Sequence, residues 1–513
     1  MTKMNRRSFI RAGAAAAGAA GGVLVWPGSW LEFARAGGRG YFEAEFGITD
    51  AICRKLLAEA MSKGGDFADL YFEHTLSNWV ILQDGQVNQA YGNVDLGIGI
   101  RTVKGDQVGY GFTQDLTAKA MLAAASTAAT IADSPARPVA PQFAKIKAGD
   151  YYPTTTLFTA VSVSSKVPVV QAVNDRCLDR SRLIVKVECG LHDQQKRIMV
   201  VTSEGKIAED LQPRSYLFAS VVAEKNGKSE SAWWNLGGRR EFSFYSSASV
   251  ERVANEVVDR ALRALEATQP PAGEMPVVLG PGITGILLHE AIGHGMEADF
   301  NRKKVSTYCT MIGRKVAEPF VTIIDDGTNP YQVGSINVDD EGVPSQRTVL
   351  VEDGILRSYL YDRISANHYQ VKPTGNGRRE SYRYYPQPRM RNTYMQAGKA
   401  TPDDVIGSVK KGIYVQDIAN GEVKIGEGDF AFYVSQGSMI EGGKLTAPIK
   451  DVNIMGNGPK MLTQVRMVAN DLRLAEGGVG ACGKGGQAVP VSFGLPTVLV
   501  NSMTVGGTRQ GGA

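Results

Sequence analysis

Residues 287–296 read LLHEAIGHGM, and within them His289-Glu290-Ala291-Ile292-Gly293-His294 sets two histidines around a glutamate. The 513-residue chain has only five histidines, so this crowding is a signal. The spacing, HExxxH, is one residue longer than the HExxH of ordinary zinc sites. On a regular α-helix, residues five apart point roughly 140° apart around the axis, against about 40° for residues four apart. Two imidazoles so placed do not converge on one ion. The spacing therefore predicts a π-type bulge, or an unwound last turn, between them. Gly293 and Gly295 bracket His294 and are the residues expected to permit that distortion.

If the two histidines share an ion, Glu290 beside the first is placed to exchange protons with a water held there. A catalytic zinc usually takes three protein ligands and keeps one position open. Candidates for the third are His368, Cys309, Cys482 or a carboxylate. Cys482 lies in Gly477–Gly486, where six of ten residues are glycine, so its backbone can approach an ion closely. Lys484 nearby would favour the thiolate. The other cysteines are sparse and irregular, unlike a disulfide framework.

Upstream, Gly280-Pro281-Gly282-Ile283-Thr284-Gly285 matches the dinucleotide fingerprint GxGxxG and follows a strand-like MPVVL. The βαβ unit that the fingerprint requires is missing downstream, so the glycines read as room for close backbone packing.

Composition bounds the rest. With 43% hydrophobic and 21% charged residues, the chain is an ordinary globular one, long enough for more than one core. The formal charge of +4 resides in the first 36 residues, where Lys3, Arg6, Arg7, Arg11 and Arg35 face Glu32 alone. The remainder is near neutral, which argues against nucleic acid as a partner. That first segment has adjacent arginines before Ser8-Phe9-Ile10, a mild Ala/Gly-rich apolar run, then Ala34-Arg35-Ala36. It resembles a twin-arginine signal and implies export to the periplasm or beyond, with no stable membrane insertion of the mature chain.

Helices are expected from Thr49 or Asp50, over 116–132, near 165–180, and over 249–268. ADLYFEHT and NWVILQDG read as two strands, and LGIGIRTVKGDQVGYGFTQ as a hairpin turning at Lys104-Gly105-Asp106. Residues 134–143 read as a linker. Pro270-Pro271 marks a boundary between an N-terminal α+β domain, 37–270, and a C-terminal domain, 271–513, of short, mostly antiparallel strands.

Several long stretches then resemble the TldD/PmbA family of metallopeptidases, in its TldD type. They are LLHEAIGHGMEADFNRK, INVDDEGVPSQRTVLVEDGILRSYLYD, PTGNGRRESYRYYPQPRMRNTYM and MVANDLRLAEGGVGACGKGGQAVPVSFGLPTVLVNSMTVGGT. The resemblance implies an α+β, two-domain architecture with a β-rich metallopeptidase C-terminal half. It implies His289, His294 and Cys482 as ligands of one divalent ion, zinc by its mixed nitrogen and sulfur set, and Glu290 as the catalytic base. It further implies hydrolysis of unfolded or flexible peptides by a homodimer, or by a heterodimer with a PmbA/TldE-type subunit. Two rival functions remain: a non-catalytic scaffolding subunit, and a metal-dependent enzyme acting on non-peptide substrates. Gly375–Tyr382 reads as a structural turn with a salt-bridged arginine, or as a wall of the cleft in which Arg378, Arg379 or Tyr382 meets substrate.

Overall fold

The structure, a computed structural model, describes residues 40–477 and 480–506. The segment read as an export signal lies outside the described residues. No helix among those described is long and apolar enough to cross a membrane.

The N-terminal half is built on strands of unusual length. Helix α1 (Asp50–Ala60) starts at Thr49, whose hydroxyl accepts from the Ile52 amide at 3.4 Å. The strands are β1 (Phe67–Gln83), β2 (Gln86–Lys104), β3 (Gln107–Thr113), β4 (Ile184–Thr202), β5 (Lys206–Lys225) and β6 (Lys228–Gly238). Helices α2 (Ala118–Ala129) and α3 (Val163–Arg180) lie between β3 and β4, and α4 (Ser247–Glu266) follows β6. The sheet order is β3-β2-β1-β4-β5-β6, antiparallel throughout, with a two-residue strand, Ala144–Lys145, added parallel to β5. The two segments expected as separate strands are one, β1, because neither glycine nor proline interrupts Thr75–Asn78. Their polar side chains are used inside the sheet: Gln194 Nε2 donates to Ser77 Oγ at 3.2 Å.

Parity along β1 explains the layering. Leu70 and Phe72 pack with α1 and α2, and Val80 and Leu82 pack with α3 and α4, so all four helices cover one face. Tyr71 points to the opposite face, where it meets Ile198, Val200, Val338 and Tyr382. The other half of the chain covers that face.

That half contains a closed ring of strands. In chain order they are β7 (Gly273–Leu279), β8 (Lys411–Lys424), β9 (Asp429–Glu441), β10 (Val452–Asn457) and β11 (Val498–Gly506). Pairing runs β8-β7-β11-β10-β9 and returns from β9 to β8; β7 and β8 are parallel, the other pairs antiparallel. A second sheet of six short strands carries Ile323–Asp326, Asn392–Met395 and Ser492–Leu495 in its middle. Leu287, Leu288, Ala291 and Ile292 join one core with Val277 and Ile413 of the ring and with Ile323 and Leu350 of the second sheet. The HExxxH segment is thus packed between ring and sheet. The glycines of 280–285 serve close packing: a Cβ on Gly285 would lie 2.6 Å from the Gly494 backbone.

The two halves are joined through buried charge. Arg101 on β2 donates Nε to Asp69 at 2.8 Å, and its Nη1 lies 2.8 Å from Glu341. Arg379 adds a contact to Asp69 at 3.3 Å, and Tyr382 donates to Asp95 at 2.8 Å. Arg378 instead donates to the Met390 carbonyl at 2.7 Å. All these side chains except Asp95 are buried. Removing one member of such a network strands the others in a low-dielectric interior. Arg101→Met should therefore destabilise the fold by about 3–5 kcal/mol, read as a lowered midpoint of chemical denaturation.

Candidate metal centre

The run from Ile283 passes through one turn of 3₁₀-helix and one of α-helix, then forms a π-helical turn over His289–Gly293. The His294 amide donates to the His289 carbonyl, five residues back. That register stacks residues five apart on one side, as the HExxxH spacing requires. The glycines contribute differently from the expectation. Gly293 has ordinary helical angles, φ −59° and ψ −48°, so its conformational freedom is not used. What matters is the missing side chain: a Cβ there would collide with Met390 Sδ, and one on Gly295 would lie 2.7 Å from the Tyr308 ring.

One donor atom from each of His289, His294 and Cys482 falls within a cluster whose members all lie within 4.8 Å of one another. Cys482 arrives on a hairpin, Ala481–Lys484 paired with Gln487–Pro490, turned by Gly485 and Gly486 at φ +58° and +75°. Its Sγ sits 3.3 Å from His294 Nε2. Donors held at ~2.0–2.3 Å from one tetrahedral ion stand roughly 3.3–3.8 Å apart, so the Cys482–His294 separation suits such an ion. His289 Nδ1 is buried with no hydrogen-bond partner among the described residues, a nitrogen that the protein alone leaves unsatisfied, and the same ring interacts with Cys482. Two nitrogens and a sulfur form a set that a borderline-soft divalent ion favours. The residues fit the group.

Exposure separates the roles. His289, Cys482 and His294 are 1%, 2% and 5% exposed, whereas the Glu290 side chain keeps 22% of its surface open. Its Oε2 lies 3.6 Å from His294 Nε2, the nitrogen that also faces Cys482. Glu290 is thus a carboxylate at the mouth of the cluster.

Electrostatics support a thiolate. Burial pushes the Cys482 thiol up, but His289 and His294 beside it hold it well below the ordinary range. Burial would likewise lower His294, and Glu297 together with Cys482 holds it well above an ordinary histidine.

Glu297 is the functional residue that the motif did not reveal. Its Oε2 lies 3.0 Å from His294 Nδ1, so it fixes the tautomer that turns Nε2 toward the cluster. Burial opposes the charge on Glu297, yet Lys484 at 3.1 Å and the His294 ring bring its carboxyl down to about 2. Lys484 also binds Asp299 at 2.7 Å. Lys484 therefore acts on Glu297 behind the histidine, not on the thiol that its position in the sequence suggests. The available signal was an acid three residues after His294. Cys309 and His368 are not drawn into the site: Cys309 Sγ donates to the Asn301 carbonyl, and the His368 ring packs on Tyr369.

Three segments match profiles of one family: residues 68–132 its PmbA/TldA metallopeptidase domain 1, 157–265 its central domain, and 272–507 its C-terminal domain. The Metalloprotease TldD homolog of Haemophilus influenzae is 38% identical over 451 residues, 86% of this chain and 93% of its own. The Zinc metalloprotease TldD homolog of Saccharolobus solfataricus is 33% identical over 259 residues, 50% of this chain and 57% of its own. TldE from Thermococcus kodakarensis has a similar fold, with a TM-score of 0.69 at 17% identity, across 88% of this chain and 99% of its own.

Replacing Glu297 by Gln would remove the anion behind His294 while keeping the side chain's size. Metal affinity should fall about 10–100-fold, measured by competition against a chelator.

Proposed function

The chain belongs to the PmbA/TldA metallopeptidase family, and from that premise we propose that it hydrolyses peptide bonds in unfolded or flexible chains at the His289–His294–Cys482 centre. The observation that carries the reading is the joint placement of three buried donors and one half-open carboxylate, Glu290.

His289 and His294 would hold the ion through nitrogen and Cys482 through sulfur; zinc suits that set. When bound, the ion supplies Lewis-acid chemistry to a water and to the scissile carbonyl. Glu290 takes the proton of that water as it attacks, then returns it to the leaving amine. Glu297 keeps the His294 ring in one orientation throughout, and the Lys484 ammonium keeps Glu297 charged. The three donors sit almost out of water, so solvent reaches the centre from the Glu290 side.

We extend the proposal to location and assembly. The first 36 residues support export through the twin-arginine route. The resemblance to TldD supports a homodimer, or a heterodimer with a PmbA/TldE-type subunit.

The decisive variant is Glu290→Gln, which preserves the ligands. Hydrolysis of an unfolded peptide should fall about 10²–10⁴-fold with metal content unchanged by elemental analysis. Full activity in that variant overturns Glu290 as the base. For export, Arg6→Lys together with Arg7→Lys should leave the protein in the cytoplasm on cell fractionation, and unaltered export would refute the signal.

A further inference from the structure

A cavity of about 970 Å³ lies where β6, α4, the ring and the loop before Cys482 come together. Consecutive residues line it: Trp233, Trp234 and Asn235 of β6, and Gln416, Asp417 and Ile418 of β8. Neighbours on a strand point to opposite faces, so both can border one cavity only when it lies along the strand's edge. The edges concerned lack strand partners, although on the outer edge of β6 the Gly237 amide donates to the Glu476 carbonyl at 3.0 Å. β6 pairs with β5 alone, and β7 pairs with β8 only as far as Val415.

The charges around this cavity do not cancel. Arg252 pairs with Glu476, and Arg260 pairs with Asp417 and lies 3.8 Å from Glu256. That accounts for the three carboxylates that line it. Among the described residues, Arg263 donates only to the neutral Gln416 amide oxygen and Arg473 has no ion pair. Both are exposed, and both also line the cavity. Two guanidiniums thus lack carboxylates of the chain's own, beside two strand edges that can pair with an extended backbone.

None of His289, Glu290, His294 and Cys482 lines the cavity, but its wall is joined to the metal centre by the chain and by packing. Gly282 and Ile283 form part of its wall and open the helical run that carries His289 and His294. Ala475, another wall residue, donates its amide to the Phe493 carbonyl at 2.8 Å, and the Phe493 ring packs edge-on against His289 at 6.0 Å.

We propose that this cavity receives a carboxylate of the peptide, either an acidic side chain or the free C-terminus, on Arg263 and Arg473, and so makes the enzyme selective for acidic or C-terminal segments. This inference rests on the peptidase reading above.

The test uses the metal-loaded full chain and four unfolded decapeptides: one containing glutamate, its glutamine twin, and the C-terminally amidated form of each. The carboxylate-bearing member should show a KM about tenfold lower than its neutral twin, the scale of one charge-assisted hydrogen bond, and added salt should narrow the gap. Arg263→Gln and Arg473→Gln should each bring the ratio toward one, while Arg473→Lys retains part of it. A preference that follows glutamate assigns the side chain, and one lost on amidation assigns the terminus. Equal KM values for all four peptides, or a preference untouched in both glutamine variants, overturn the proposal.

Calorimetric binding to Glu290→Gln separates the two readings. Charge-selective binding by a protein that cleaves nothing in its wild-type form upholds the cavity and refutes the peptidase. Cleavage without charge selectivity refutes the cavity alone, and neither property refutes both.

Discussion

The site depends on one hydrogen bond, from the His294 amide to the His289 carbonyl five residues back. In α-helical register His294 would turn away from His289, and Cys482 would meet a single imidazole. A π turn is a poor local solution, seldom met outside functional sites, so something beyond the turn must hold it. Packing does so. Met390 fills the space over Gly293, the Tyr308 ring lies over Gly295, and Gly458 comes so near that its Cβ would run into the Ala291 carbonyl. Ring and second sheet press on the same segment from both sides. Relaxing to α-helical register would move Ile292 and its neighbours out of a close-packed core, where side chains have few alternatives.

The charges behind the site follow the same logic of fixing what would otherwise move. Glu297 has 0% exposed side-chain surface, a costly place for a carboxylate. Lys484 at 3.1 Å, the His294 ring at 3.0 Å and Arg389 at 3.9 Å surround it. Such clusters contribute little net stability compared with apolar packing, but they confine geometry. Lys484 stands two residues after Cys482, and Arg389 donates to the Cys482 carbonyl. The groups that orient His294 therefore also seat the hairpin that carries the sulfur. Residues near 294, 389 and 484 converge although the chain brings them from three separate segments.

How far this was legible in the sequence can be followed residue by residue. HExxxH carried its own geometric problem, and the π turn is the solution its spacing demanded. The helix start at Thr49 is legible because a hydroxyl precedes an amphipathic run. Thr117 and Ser162 cap their helices in the same way, each accepting an amide three residues on, though the sequence reading places those helices without their caps. The sequence reads β1 as two strands, ADLYFEHT and NWVILQDG; that Ser77 between them and Asn78 at the head of the second find partners across the sheet is a tertiary fact which local pattern does not reveal. Glu297 is not legible in the motif, because its role arises from tertiary contacts with His294 and Lys484. Gly293 is legible as a glycine at the turn but not for its missing side chain, since nothing local announces that Met390 occupies that space. The closed ring was equally hidden, being set by pairings such as β7 with β8 between segments more than a hundred residues apart.

The arrangement of the two halves bears on how the peptide substrate proposed above would be admitted to so enclosed a centre. An unpaired strand edge is an aggregation liability, and proteins commonly cover it or flank it with charge. Here the outer edge of β6, met at Gly237 by the Glu476 carbonyl, and the free end of β8 both border the cavity, between ion pairs such as Arg252–Glu476 and Arg260–Asp417. A folded domain cannot offer backbone groups to such recessed edges, because its own are already paired. An extended segment can, since its amides and carbonyls exchange water for the strand edge. On the function proposed above, selection against folded substrates would need no dedicated recognition element, because it would follow from the strand edges themselves.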